Sequence, residues 1–440
     1  MPGLRIILDK SVIRGLNNSE ADSLDRYFFQ IVPPALINEI LADLTKEDRE
    51  PKIINMIAGQ SYRISGNRGI TEDYRRVLAS SLMGYEIPME GKFLAAGERT
   101  VRSETGSVGT VAETTLEDKT ILRWERKQFT RKEKERASRF RGRSQRPLKP
   151  EMYLGKIKEA GLEFAIPNTD EELVEAVDSL LRERRFQARL FPLLSREHGI
   201  PPGSQALVIK RWFKEGRPMF KDFAPYAFFC LRANFLWALG LTNRKLFKPD
   251  KNDRKDLEYC YYLPHCEMFA SRDDKHKRLV PFLLRPDQSF IDGDELKKDL
   301  RRLSEMWEAM GPEDRIRTSA ERGGAPPEDE NSLVFRLWGK HRGEVVKSLP
   351  LEILDMKIVD SRKPPGERVP ITFRDFLLTK AKQIRASTEV PGGELERIRE
   401  DAKGADPRTW AMMKTTMSRE RILKMYPGLS EEDLDKAGTD

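Results

Sequence analysis

The sequence predicts an α/β protein: a parallel sheet flanked by helices, interrupted by a large, mostly helical insertion and followed by a charged helical C-terminal region. Three observations predict it. The chain opens on a short apolar run, Ile6-Ile7-Leu8, of the kind a sheet buried on both faces uses. A second α/β stretch begins near Tyr226. Between the two, helical periodicity takes over, clearest in Leu173, Val174, Val177, Leu180 and Leu181.

Residues 1–45 read as strand, helix, helix, the first half of the sheet unit. After the opening strand, Val12, Leu16, Leu24 and Phe28 keep helical spacing across the turn-prone Asn17-Asn18-Ser19, so a helix in two pieces is expected. Pro33-Pro34 then starts a helix with the apolar face Leu36, Ile37, Ile40, Leu41 and Leu44. Glu39 borders that face.

Residues 46–225 are read as the insertion, with loop signals at Gly66 and Gly69 and at Gly106-Ser107-Val108-Gly109. Its most unusual part is 123–149, with twelve Lys or Arg against three Glu and with Trp124, Phe129 and Phe140 interleaved. That excess is larger than the net charge of +8 carried by the whole chain.

Residues 226–310 form the second half of the sheet unit. The apolar stretch 226–241 contains Arg232 and Asn234 and falls short of a membrane span, so a buried helix is expected. An aromatic helix follows at Leu257-Glu258-Tyr259-Cys260-Tyr261-Tyr262-Leu263, then a short strand, Glu267-Met268-Phe269-Ala270-Ser271, and a polar helix over 288–310. Residues 311–440 are a charged extension with linker composition at 322–330 and breaks at Pro364-Pro365-Gly366 and Pro391-Gly392-Gly393.

Composition narrows the class. With 38% apolar and 34% charged residues the chain has a strongly charged surface, and a pI near 9.1 permits an anionic partner without requiring one. Cys230, Cys260 and Cys266 cannot build a disulfide framework, and Met1-Pro2-Gly3-Leu4-Arg5 is not a signal peptide, so a cytoplasmic protein with reduced thiols and no membrane partner is expected. Cys260, His265 and Cys266 lack the second ligand pair of a structural zinc site. His198, His265, His276 and His341 make no nucleophile arrangement, and no phosphate-binding loop motif occurs.

Four acids carry the chemistry. Asp9 closes the first strand, Glu39 lies on the helix after Pro33-Pro34, Asp256 precedes the aromatic helix, and Asp273 follows the strand ending in Ser271. Strand ends and helix starts are where open α/β sheets place functional side chains. Phosphodiester hydrolysis requires charge stabilisation and an activated water, which Mg²⁺ or Mn²⁺ held by carboxylate oxygens supplies. Taken singly, Asp9 and Asp256 read more readily as helix N-caps.

Together, Ile6-Ile7-Leu8-Asp9 with Ser11-Val12 and Val32-Pro33-Pro34-Ala35-Leu36-Ile37-Asn38-Glu39-Ile40 resemble the opening of PIN-domain nucleases. Asn252-Asp253-Arg254-Lys255-Asp256-Leu257-Glu258-Tyr259, Leu263-Pro264 and Phe269-Ala270-Ser271-Arg272-Asp273 look like that family's closing half. The resemblance implies a PIN-like fold and a metal-dependent endonuclease with RNA as substrate. It implies Asp9, Glu39, Asp256 and Asp273 as catalytic and metal-binding acids, with Ser271 in the family's Thr/Ser place. Asp253 and Asp274 are alternatives for Asp256 and Asp273. A toxin or defence role with an inhibitor or antitoxin partner is a family association only. Arg272 and Lys275 are placed to steady a substrate phosphate. In the basic segment, Arg123, Lys127, Arg131, Arg139 and Arg143 are candidates for phosphate contacts, and Trp124, Phe129 or Phe140 for base stacking on single-stranded RNA. The alternative is a catalytically inactive PIN-like protein that binds nucleic acid or acts as a scaffold through that segment.

Overall fold

The structure is a computed structural model, and it describes residues 3–45, 50–96, 98–102, 108–112, 115–144, 147–311, 314–315, 318, 325–342, 357–358 and 371–372. Most of the charged C-terminal extension, including both Pro-Gly breaks, lies outside the described residues.

The chain begins β1 (Leu4–Leu8), α1 (Lys10–Gly15), α2 (Asn18–Tyr27), β2 (Phe28–Val32), α3 (Pro34–Leu41), α4 (Glu50–Arg63), β3 (Arg68–Ile70) and α5 (Tyr74–Leu82). A hairpin, β4 (Glu98–Arg102) and β5 (Val108–Ala112), leads into α6 (Leu116–Glu125), α7 (Arg131–Ser144), α8 (Pro150–Glu159), α9 (Asp170–Arg182), α10 (Gln187–His198), α11 (Pro202–Lys214) and α12 (Phe220–Phe223). The rest of the sheet unit follows as α13 (Pro225–Gly240), α14 (Asp253–Cys260), β6 (Met268–Ser271), α15 (Asp274–Leu279), β7 (Ser289–Asp292) and α16 (Gly293–Ala309).

Five strands form one parallel sheet in the order β3-β2-β1-β6-β7. β1 is central, with Ile6 opposite Gln30 of β2 on one side and opposite Met268 of β6 on the other. Its residues Leu4, Ile6, Ile7 and Leu8 are buried, as expected of a strand covered on both faces. From β1 the chain builds outward through β2 and β3, and it later returns to add β6 and β7 on the opposite side. The point where the direction reverses lies between β1 and β6, and in open α/β sheets the crevice beyond the strand ends at such a point is where ligands bind.

The expected helix pair before Pro33 is present, but Phe28 belongs to a strand. Asn17 caps α2 in a reciprocal pair with Glu20, and the helix stops at Tyr27 because Phe28-Phe29-Gln30-Ile31-Val32 is a better buried strand. The boundary at 45 also needs correction: α4 and β3, read as insertion, complete the sheet's first half. β3 has only three residues, too few to show alternation, and its glycine was read as a loop. A Cβ on Gly69 would stand 2.5 Å from the Phe93 ring and 2.7 Å from the Phe29 ring, so packing explains that glycine. The polar helix expected over 288–310 is preceded by a strand, β7, and begins only at Gly293, capped by Asp292.

The rest of the insertion is largely helical. α13 is buried along nearly all its length and packs against α5, α8, α9 and α14, joining the insertion to the sheet unit. No helix among the described residues is long and apolar enough to cross a membrane. All three cysteines are buried free thiols.

Candidate active site

Asp9, Glu39, Asp256 and Asp273 all line one cleft of about 400 Å³ at the carboxyl ends of β1 and β6. Each arrives there by ordinary local structure. Asp9 follows the last residue of β1, and its backbone N–H still pairs with Ala270 of β6 at 3.1 Å. Glu39 projects from α3, which Pro34 starts at its first position. Asp273 ends the β6 turn and caps α15, its Oδ1 accepting from the N–H groups of Lys275 and His276 at 2.9 and 3.1 Å. Of the two alternative cap readings, Asp9 does cap α1, accepting the N–H of Val12 at 3.0 Å, but Asp256 caps nothing: α14 begins three residues earlier, so Asp256 sits inside its first turn and lines the cleft.

Asp253 and Asp274 do not line the cleft. Asp253 is buried, pairs with Lys275, and accepts the N–H of Asp250 at 2.7 Å. Asp274 is exposed on the first turn of α15.

The acids are held by a buried polar hub of Ser271, which the sequence singled out, and His276, whose part in it the sequence did not reveal. The Ser271 hydroxyl donates to Asp9 Oδ2 and accepts from the N–H of Asp273 at 3.0 Å. His276, fully buried, places Nε2 2.8 Å from the carbonyl oxygen of Asp256 and Nδ1 2.9 Å from Ser271 Oγ and 3.5 Å from Asp9 Oδ2. A carbonyl only accepts, so Nε2 carries a proton; the single Ser271 proton points at Asp9, so Nδ1 must carry one too. His276 is therefore an imidazolium that ties β1, β6 and α14 together.

The electrostatics agree. Burial would raise Asp9, but the hydrogen bonds and charge of His276 and the hydroxyls of Ser11 and Ser271 outweigh it and hold this carboxyl below its usual value. Burial would lower His276, yet its bond to Asp9 and the nearby Cys260 and Asp256 carry it well above the usual histidine value. Asp256 goes the other way: burial, with the charges of Asp273, Glu39 and Asp9 added and only His276 opposing, pushes it well above the usual carboxylate range. Glu39 accepts a hydrogen bond from the buried Tyr259 hydroxyl at 2.8 Å. Tyr259 was read only as part of an aromatic cluster, and it lines the cleft as well.

Cations share the walls: Lys10 and Arg14 of α1, Arg141 of α7, and Lys251 and Lys255 before and within α14. Lys10 bridges Asp43, a fifth acid on the lining, at 2.9 Å and the carbonyl of Glu39 at 2.7 Å. None of these residues was singled out in the sequence. Arg141 carried a signal, since it belongs to the basic segment.

The other expected contacts are redistributed. Arg272 and Lys275 do not line the cleft; they pair with Asp294, at 2.6 Å, and with Asp253. Trp124 is wholly buried against Phe129 and Phe140 is buried too, so neither can stack on a base; their apolar bulk packs the base of α6 and α7. Arg123 pairs with Glu133 at 2.5 Å, and Arg131 pairs with Glu135 on the helix surface. Lys127 and Arg139 are exposed, and the Arg143 side chain lies outside the described residues.

Hard divalent cations take carboxylate oxygens, and the charges of Asp273, Glu39 and Asp9, which add to burial in raising Asp256, are what a bound cation offsets. The donor chemistry therefore fits Mg²⁺ or Mn²⁺. Among the described residues, no three His, Cys, Asp or Glu side chains are already gathered into a metal-binding set. No family model matches the chain, nor does any curated protein or solved structure.

Proposed function

We propose that this protein is a Mg²⁺- or Mn²⁺-dependent endonuclease acting on RNA in preference to DNA, with a PIN-like sheet unit as its catalytic body. The observation that carries the reading is the convergence of four acids, from four separate parts of the chain, on one cleft at the switch point of a parallel sheet. The preference for RNA rests on the PIN resemblance alone.

Asp9, Asp256 and Asp273 would hold the ion, with Glu39 as a further ligand or as the group that orients the attacking water. When bound, the ion polarises the phosphodiester and stabilises the charge that develops during in-line displacement. The chain's own residues do the rest. Ser271 and His276 fix the Asp9 carboxylate, and Tyr259 fixes one oxygen of Glu39, leaving the other to take a proton from water. Arg14, Arg141, Lys251 and Lys255 meet the phosphates on either side of the scissile bond.

The test is cleavage of end-labelled single-stranded RNA and DNA, with Mn²⁺ or with EDTA, by wild type and Asp256→Asn. Asp256 suits this better than Asp9, whose replacement would also break the buried pair with His276. Mn²⁺-dependent cutting that is lost in the variant is the expected result. Tight binding without cutting by the wild type would overturn the proposal in favour of a nucleic-acid-binding protein.

A further inference from the structure

Lys10 is a buried ammonium in the wall of an acidic cleft. It follows Asp9 directly, as the first residue of α1, and its side chain crosses to α3 and the turn after it. There Nζ stands 2.9 Å from Asp43 Oδ2 and donates to the Glu39 carbonyl oxygen at 2.7 Å. Lys10 is 8% exposed and Asp43 4%, and both line the cleft. A buried pair of this kind withdraws its carboxylate from other cations, because removing either partner strands a charge.

The other acids are already partly committed. Asp9 accepts from Ser11 and Val12 on Oδ1 and from Ser271 on Oδ2, three of the roughly four acceptor positions of a carboxylate. Glu39 gives Oε2 to Tyr259, and Asp273 gives Oδ1 to the N–H groups of α15. Among the described residues, Glu39 Oε1, Asp273 Oδ2 and both oxygens of Asp256 are left without a hydrogen bond. So few carboxylate oxygens suit one octahedral ion that keeps several waters, and they do not suit two. Charge gives the same answer. The lining sets five acids, Asp9, Glu39, Asp43, Asp256 and Asp273, against five cations, Lys10, Arg14, Arg141, Lys251 and Lys255. Their formal charges cancel, so a first divalent ion already leaves the wall positive and a second would add two more charges.

We infer that Lys10 is the resident cation of the cleft: it takes Asp43 out of the ligand set, so the site holds a single Mg²⁺ or Mn²⁺ and not the pair that two-metal nucleases use. The inference rests on the metal-dependent reading of the cleft. Lys10 is a positioning residue, setting the metal count from within the wall.

The experiment counts Mn²⁺ bound to the full chain, from the electron paramagnetic resonance signal of the free ion, as Mn²⁺ is added to metal-free protein through the low millimolar range. Wild type, Lys10→Met, Asp43→Asn and Asp256→Asn are compared, with circular-dichroism melts to check folding. Wild type should bind one ion per chain, and Asp256→Asn should lose it. Lys10→Met keeps an apolar stem but strands the Asp43 carboxylate, so it should bind two ions and gain more melting temperature from Mn²⁺ than wild type does. Asp43→Asn should still bind one, since Asp43 is not a ligand. Two ions on wild type, a single ion on folded Lys10→Met, or loss of the ion in Asp43→Asn overturns the inference. Should Lys10→Met fail to fold, the wild-type and Asp43→Asn counts decide it. No ion on wild type, or an ion kept by Asp256→Asn, defeats the metal-dependent reading itself, so the two failures are told apart.

Discussion

Replacing Ser271 with alanine removes one oxygen from beneath the acidic cleft, and its consequence can be worked from the contacts. Ser271 is fully buried at the end of β6 and joins three groups: the Asp9 carboxylate, the His276 ring and the N–H of Asp273. Hydrogen bonds to charged groups contribute roughly 1.5–3 kcal/mol each and a neutral one about 1. Two charged bonds and one neutral bond give a gross value of roughly 4–7 kcal/mol. Removing the buried hydroxyl's own desolvation offsets part of it, leaving a loss of about 4 kcal/mol. Against a total stability on the order of 5–15 kcal/mol the variant still folds, melting roughly 4–6 °C lower. Ser11 is the control. Its hydroxyl donates to the other Asp9 oxygen at 2.6 Å, but it sits at the half-buried lip where water can replace it, so Ser11→Ala should lose only about 1 kcal/mol. Circular-dichroism melts in EDTA compare the two, and Ser271→Thr, which keeps the hydroxyl, should recover part of the loss. Melting points for Ser271→Ala and Ser11→Ala within about 2 °C of each other would refute the hub.

Further outcomes follow from the same site. Asp256→Asn should abolish cleavage yet raise the stability of the metal-free protein by about 1–2 kcal/mol, because it removes a buried charge that its neighbours repel; a destabilised variant in thermal melts would contradict this. Folded His276 holds its proton above the usual 6.5, so its stabilisation is complete below that pH and is lost as pH rises through the raised value. Asp256 adds the same sign, its share present below the usual 3.8 and lost on raising the pH, whereas the depressed Asp9 loses its share only as pH falls below 3.8. The metal-free melting point should therefore decline from mildly acidic pH toward pH 9, and a melting point that climbs between pH 6 and 9 would be decisive against it. Millimolar Mn²⁺ should raise the wild-type melting point and do so far less in Asp256→Asn, as a ligand of the folded state alone requires. Gly69→Ala should destabilise by roughly 1–3 kcal/mol through overpacking against Phe29 and Phe93, measured by urea unfolding.

Much of the site was legible because its acids sit beside strong local signals: an apolar run before Asp9, a proline pair before Glu39, an aromatic helix beside Asp256, and a strand before Asp273. What stayed hidden depends on contacts far apart in the chain. His276 sits three residues after the cap Asp273, a weak cue, and its importance comes from Asp9 and Asp256, which no local spacing links to it. β3 and β7 are too short to show alternation, and Phe28-Phe29 satisfied a helical pattern as well as a strand. The basic segment was visible as charge, but the sequence could not tell which face of α7 would be buried. Of the aromatic residues that suggested base stacking, Phe140 is buried on the inner face of α7 and Trp124 is buried in α6 against Phe129.

The pairing of β1 with β6 sets a schedule for this molecule. Ile6, Ile7 and Leu8 leave the ribosome some 260 residues ahead of their partners Met268, Phe269 and Ala270. At about 5–20 residues per second, one edge of the central strand waits roughly 13–50 s for its neighbour. During that interval Asp9 has neither Ser271 nor His276 beside it, and the cleft has only one of its walls. Whatever the finished cleft does, a nascent chain that stops short of Ser271 cannot do. The long detour between the sheet's halves thus acts as a delay, keeping the site unassembled until β6 has been made.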